Sequence, residues 1–244
     1  RYQPIMDRNG EFAGKAEALV SWNCPERGLR PPDEFIPALE ANGVISKLTD
    51  FVLERAMREA LARDDLHISV NASAGEFQQR DFPDRIAGAA RLTAFPLERL
   101  EIEITETAIL NEELAEKTLE RLQALGVRVA LDDFGAGYTS LHALRRLRFS
   151  TLKIDRSFVT HCAQDTASAA IILAVIGVGR ALGMKLIAEG VETEAQAKIV
   201  RIAGVHFIQG YLYGAPGKFT DLPGAGIKAD ALPVPVGRTT LPAN

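Results

Sequence analysis

The sequence predicts an α/β fold, a (β/α)8 barrel of the TIM type, on three observations. Short apolar, β-branched runs alternate with helical stretches along most of the chain, and alternation of this kind signals a parallel sheet. Eight such runs can be found, the number a closed barrel needs. No glycine-rich phosphate turn follows the first run, as a doubly wound open sheet would want. The length of 244 residues suits one such barrel.

The opening run spans residues 2–6. The later ones span 16–22, 67–72, 100–105, 127–134, 151–155, 185–190 and 206–211. Helical periodicity fills the intervals. Residues 46–63 place Leu48, Val52, Leu53, Ala56 and Ala60 on one stripe, and 111–125 do the same with Leu114, Leu119, Leu122 and Leu125. Asn111 is a natural cap for the second of these, and Gly126 a natural stop. Further helices are expected at 33–42, 82–93, 140–147, 166–182 and 194–203. Gly177-Val178-Gly179 lies inside one of them and reads as small-residue packing. After Gly214 proline and glycine rise without periodicity, so the barrel is expected at 1–216 and a tail at 217–244.

Composition narrows the function. Hydrophobic residues at 47% and charged residues at 25% are ordinary for a globular protein. With 28 Lys and Arg against 32 Asp and Glu, the net charge of −4 supplies no basic field for a nucleic-acid polymer or an anionic membrane. Cys24 and Cys162 show no metal or disulfide spacing, and no run is long enough to span a bilayer. A cytoplasmic setting is expected. The first residue is Arg1 and a strand follows at once, so the chain reads as cut from something longer.

The polar residues within the strands carry the chemistry. Strands of a parallel barrel should be nearly all apolar. Instead Glu17, Asn71, Glu103, Asp132 with Asp133, Lys153, Glu189 and Gln209 stand near seven successive strand ends, the face where barrel enzymes build their sites. A single acid there serves as a helix cap or loop hydrogen bond; seven in succession need another reason. Side chains two apart share a face, which groups Glu101, Glu103 and Thr105, with Glu103 nearer the mouth, and pairs Lys153 with Asp155. Asp132 and Asp133 can serve one site only if the strand breaks there, and Gly135-Ala136-Gly137 is the expected break. Clustered carboxylates repel, so they call for cations, and an all-oxygen set suits Mg2+, Mn2+ or Ca2+. Two such ions would activate water and clamp a phosphoryl group. Lys153 would stabilise phosphate charge or, with a lowered pKa, handle the water proton. Metal-assisted phosphate-ester hydrolysis is the chemistry this composition predicts.

Seven ordered blocks then resemble a known family. They are Glu17-Ala18-Leu19, Val70-Asn71-Ala72-Ser73, Glu103-Ile104-Thr105-Glu106, Asp132-Asp133-Phe134-Gly135-Ala136-Gly137-Tyr138, Lys153-Ile154-Asp155, Ala188-Glu189-Gly190-Val191-Glu192 and Gln209-Gly210-Tyr211. Their order and spacing resemble EAL domains over roughly residues 2–216. The resemblance implies a barrel whose first strand is antiparallel to the rest, and hydrolysis of cyclic di-GMP to linear pGpG with Mg2+ or Mn2+, Ca2+ being inhibitory. It implies that Glu17, Asn71, Glu103 and Asp132 bind a first metal and Asp133 a second. Glu189 would stand near the metal waters, Lys153 would assist the attacking water, and Leu19 and Gln209 would meet substrate. Glu106 would anchor the loop after Asp133, with Asp155 and Glu192 as orienters. It also implies a homodimer and an upstream sensory or GGDEF domain.

Three positions depart from the family pattern. Ser21 stands where an Arg usually contacts substrate phosphate, a loss of roughly 1.5–3 kcal/mol in binding. Cys24 replaces a commoner His, and Ala136 a commoner Thr. None is a metal ligand. The alternative is a weak or inactive cyclic di-GMP receptor. A glycerophosphodiesterase-like barrel would need His motifs that His67, His142, His161 and His206 do not form. Asp133-Phe134-Gly135 mimics a kinase triplet without its companion loops. Arg145, Arg146 and Arg148 read as a solvated basic face. The apolar helix at 166–182 reads as core or dimer interface.

Overall fold

In the computed structural model, which describes residues 1–135 and 140–224, the chain closes into an eight-stranded barrel. β1 (Tyr2–Asp7) turns back into β2 (Phe12–Ala18) through a tight hairpin. The Asp7 carboxylate accepts from the backbone N–H of Asn9 at 2.8 Å and of Glu11 at 2.9 Å, and Gly10 takes the left-handed conformation the turn requires. β3 (Trp22–Cys24) and β4 (Gly28–Arg30) form a separate small hairpin. The strand expected at 16–22 is thus two elements. It starts earlier because the hairpin turn sets its register, and it ends at Ala18.

A 3-10 turn at Pro32–Glu34 precedes α1 (Ile36–Ala41), because prolines break the helix expected at 33–42. Then follow α2 (Ile45–Ala60), β5 (His67–Asn71), α3 (Ala74–Phe77), α4 (Phe82–Thr93), β6 (Leu100–Thr105), α5 (Glu112–Ala124), β7 (Arg128–Phe134), α6 (Leu141–Arg146), β8 (Thr151–Ile154), α7 (Arg156–His161), α8 (Thr166–Ala181), β9 (Lys185–Ala188), α9 (Glu194–Ala203) and β10 (Phe207–Ile208). Asn111 caps α5 by accepting from Leu114 N–H at 3.2 Å, as its position suggests. The strand expected at 206–211 shrinks to two residues.

Around the barrel the order is β1-β10-β9-β8-β7-β6-β5-β2. β1 is antiparallel to both neighbours, and every other pairing is parallel. Strand alternation divides the side chains. Ile68, Val70, Leu100, Ile102, Ile104, Val129, Leu131, Leu152 and Ile154 join the apolar core shared with the helices. Their neighbours, among them Glu101, Glu103, Asp132, Thr151 and Lys153, are buried polar groups in the barrel interior. Gly179 lets α8 press on β9: a Cβ there would lie 2.5 Å from Leu186 Cδ2. Beyond Gly214, Gly217 bridges to Tyr2, and Phe219 and Leu222 are buried, so the start of the expected tail is docked; 225–244 lie outside the described residues.

Candidate metal centre at the barrel mouth

Two polar layers fill the barrel interior, two residues apart on the same strands. The lower holds Lys15 of β2, Glu101 of β6 and Thr151 of β8. The Thr151 hydroxyl donates to Glu101, and Lys15 Nζ lies 3.9 Å from the same carboxylate. Arg128 of β7, in register with Glu101, adds a second cation, so acids do not outnumber cations in this layer.

In the upper layer they do. Lys153 Nζ, 1% exposed, lies 2.5 Å from Glu103 Oε2, 2.6 Å from Glu189 Oε1, 3.0 Å from Asp132 Oδ2 and 3.7 Å from Glu17 Oε2. Asn71 Nδ2 and Gln209 Nε2 each donate to Glu17 at 2.6 Å. All seven expected strand ends therefore converge. Asp133 joins them, and carboxylate oxygens of Asp132, Asp133 and Glu189 fall within 4.8 Å of one another.

The break that brings both aspartates to one site comes earlier than the glycines suggest. The β7–β8 register shifts between Leu131 and Phe134, Asp133 adopts φ 52°, and its N–H bonds Asp132 Oδ1 at 2.8 Å. Gly135 lies just beyond, its N–H donating to Glu106 Oε1 at 2.8 Å. The glycines' continuation, with Ala136, lies outside the described residues.

Five carboxylates against one ammonium set the electrostatics. Burial and the charge of Glu17 push Glu103 well above the usual carboxylate range. Burial raises Glu189 to about 8 and, with Asp132 and Asp155 adding repulsion, Asp133 to about 6. Burial works the same way on Glu17, but Lys153 and the hydrogen bonds from Gln209 and Asn71 outweigh it and bring its pKa down. Burial disfavours the Lys153 charge too, yet Asp132 and Glu103 hold it protonated well above a free lysine. Two buried acceptors, Glu103 Oε1 and Gln209 Oε1, have no hydrogen-bond donor. Excess negative charge and orphaned oxygens together fit hard cations.

The remaining expected residues sit around this centre. Leu19 lines the mouth and also a larger cavity of about 480 Å³ beside it, which Ser21 and Arg55 share. Asp155 caps α7 by accepting from Ser157 N–H at 2.9 Å. Glu192 stands exposed at the rim, and no bond of its carboxylate to the cluster is seen. Cys24 lies away from the centre in the small hairpin. Arg146 pairs with Glu112 and Glu116 on the outer surface. Two residues were not foreseen. Gln3 accepts from Gln209 Nε2 at 3.0 Å and donates to Gly214 O, fixing the amide that holds Glu17. It is the one amide or charged group in its strand before Asp7, a legible signal. Arg156 also lines the mouth, directly after Lys153-Ile154-Asp155.

A mixed barrel with its first strand reversed and a cation-seeking carboxylate cluster at the C-terminal mouth defines a distinct class of barrel site. Over residues 1–216 the sequence matches the EAL domain family, and the chain belongs to it. It is 39% identical over 222 residues to the bifunctional diguanylate cyclase/cyclic di-GMP phosphodiesterase MucR of Pseudomonas aeruginosa, covering 88% of this chain and 32% of that protein. It is 43% identical over 218 residues to an uncharacterized signaling protein of Caulobacter vibrioides, covering 88% and 27%. The chain thus spans about a third or less of these relatives. Among solved structures, the PaMucR phosphodiesterase in complex with c-di-GMP superposes with TM-score 0.85 at 38% identity, covering 88% of this chain and 90% of that one.

Proposed function

We propose that this chain hydrolyses cyclic di-GMP to linear pGpG with two divalent cations, Mg2+ or Mn2+. The observation that carries the reading is the upper layer itself: five carboxylates and two orphaned acceptors around one lysine, in an EAL domain. Glu17, Asn71, Glu103 and Asp132 would hold one ion and Asp133 would help hold the other, with Glu189 near the metal waters. When bound, the ions supply an activated water and positive charge against the phosphate. Water adds to phosphorus, the bond to one ribose 3′-oxygen breaks, and that oxygen takes up a proton to leave linear pGpG.

The chain's own groups do the rest. Lys153, 2.5 Å from Glu103 Oε2 and 3.0 Å from Asp132 Oδ2, would stabilise charge on the phosphate and assist the attacking water. Glu189, 2.6 Å from Lys153 and lining the cleft, would act on the water at the metal centre. Gln3 and Gln209 hold Glu17 in place. Leu19 and Gln209 face the substrate, while Glu106, Asp155 and Glu192 orient the loops.

The same proposal places this barrel in a longer signalling protein and in a two-fold dimer. The outer face of α8 exposes Ile171 and Leu173, which supports the dimer; light scattering at micromolar concentration tests it. Among the described residues no helix is long and apolar enough to cross a membrane.

The test is incubation with cyclic di-GMP and Mg2+ or Mn2+, followed by chromatography. Linear pGpG is expected, and its loss in Glu17→Ala. Binding without turnover would make the chain a receptor.

A further inference from the structure

We propose that Arg156 binds the second, non-scissile phosphodiester of the dinucleotide. This rests on the cyclic di-GMP reading above. That ligand carries two phosphodiesters, and the carboxylate-held cations meet only the one being cut. The other needs a counter-charge from the protein. Among the described residues lining the cleft there are two cations, Lys153 and Arg156. Lys153 is buried and surrounded by four carboxylates, so it has nothing left to offer a distant anion. Arg156 is exposed, and no acid among the described residues forms an ion pair with it.

Its base is nonetheless fixed. Asp155 caps the turn at which it begins, and the loop after β9 presses on its backbone. A Cβ at Gly190, which has φ +64°, would lie 2.6 Å from Arg156 Cβ and 3.3 Å from its Cα. A rigid origin with a free guanidinium suits a planar fork that grips two phosphate oxygens. The need is specific to this chain, because Ser21 brings no charge to the position where an arginine would. Arg1, Arg55 and Lys218 line the larger cavity beside Ser21, but Arg55 Nε is 3.0 Å from Glu59 Oε1 and already paired, and Arg1 and Lys218 do not line the metal mouth.

The experiment compares wild type, Arg156→Ala, Arg156→Lys and Arg55→Ala on cyclic di-GMP and on bis(4-nitrophenyl) phosphate, which has a single phosphodiester. Arg156→Ala keeps the Cβ that packs on Gly190. It is expected to raise KM for cyclic di-GMP on the order of tenfold or more with little change in kcat, as loss of one charge-assisted contact does. Its rate on the single diester should match wild type, Arg156→Lys should recover part of the loss, and Arg55→Ala should change nothing. A KM within twofold of wild type, an equal loss on both substrates, or a loss in Arg55→Ala instead would overturn the assignment. Should wild type bind cyclic di-GMP without turnover, the hydrolysis reading fails, and the same comparison made on Kd by calorimetry still decides the role of Arg156. Wild type that does not bind it at all would overturn both.

Discussion

The two polar layers of the barrel occupy neighbouring rungs of the same strands, yet they are built to opposite ends. Lys15 and the Thr151 hydroxyl pair with Glu101 in the lower layer, where Arg128 adds a second cation. Two residues further along, Glu17, Glu103 and Lys153 join Asp132, Asp133 and Glu189 in a layer with five carboxyl groups and one ammonium. Both layers hold buried acids, Glu101 below and Glu17 and Glu103 above, so burial alone does not mark the functional layer. Its unbalanced charge does, because such a layer is incomplete until cations enter it.

The sharpest way to break that contrast is to neutralise the same residue type in each layer. Glu103→Gln should lower kcat on cyclic di-GMP by a thousandfold or more, the order seen when a transition-state electrostatic group is lost. The metal-free variant should melt close to wild type, because burial and the Glu17 charge already disfavour an ionised Glu103. Glu101→Gln should do the reverse: turnover near wild type, with a stability loss of about 1–2 kcal/mol from leaving Lys15 without its ionic partner. Steady-state rates and thermal melts on both variants check this together.

A smaller effect is expected where the upper layer depends on its backbone. A Cβ at Gly135, held at φ +103°, would sit 2.6 Å from Phe158 Cε2. Gly135→Ala should cost about 1–3 kcal/mol in denaturant unfolding and reduce turnover by misplacing Asp133.

The pH dependence sharpens the contrast further. With Glu189 near 8 and Asp133 near 6, the metal-free folded protein holds protons between pH 5 and 8 that the unfolded chain releases. Stability of the metal-free protein should therefore fall as pH rises through that window. Added Mn2+ should raise Tm most near pH 8 and least near pH 5, where protons compete for the same oxygens. Scanning calorimetry at the two pH values, with and without metal, measures it. The smallest change belongs to Gln3→Leu, which frees the Gln209 amide and should lower turnover only a few-fold.

Much of the upper layer was legible from sequence because strand alternation is strict: a polar residue in an apolar strand end has few places to point. Glu103 against Glu101 could even be ranked by depth. The joining of Asp132 and Asp133 was not, since it depends on a bulge and a left-handed aspartate that no pattern announces. The extent of β2 was misjudged for a different reason. Val20 to Trp22 look like strand but fall outside the barrel, while Phe12 to Lys15 pair with β1 despite little apolar character. The antiparallel first strand followed only from the family resemblance, although Asp7-Arg8-Asn9-Gly10 is a hairpin turn by composition.

The central claim is that the upper layer is a cation site and the lower one is not. Calorimetric titration of metal-stripped protein with Mn2+ at pH 7 tests it most directly. Saturable binding accompanied by proton release is expected, abolished in Glu103→Gln and preserved in Glu101→Gln. Absence of binding to the wild type, or binding that Glu103→Gln leaves intact, would contradict it.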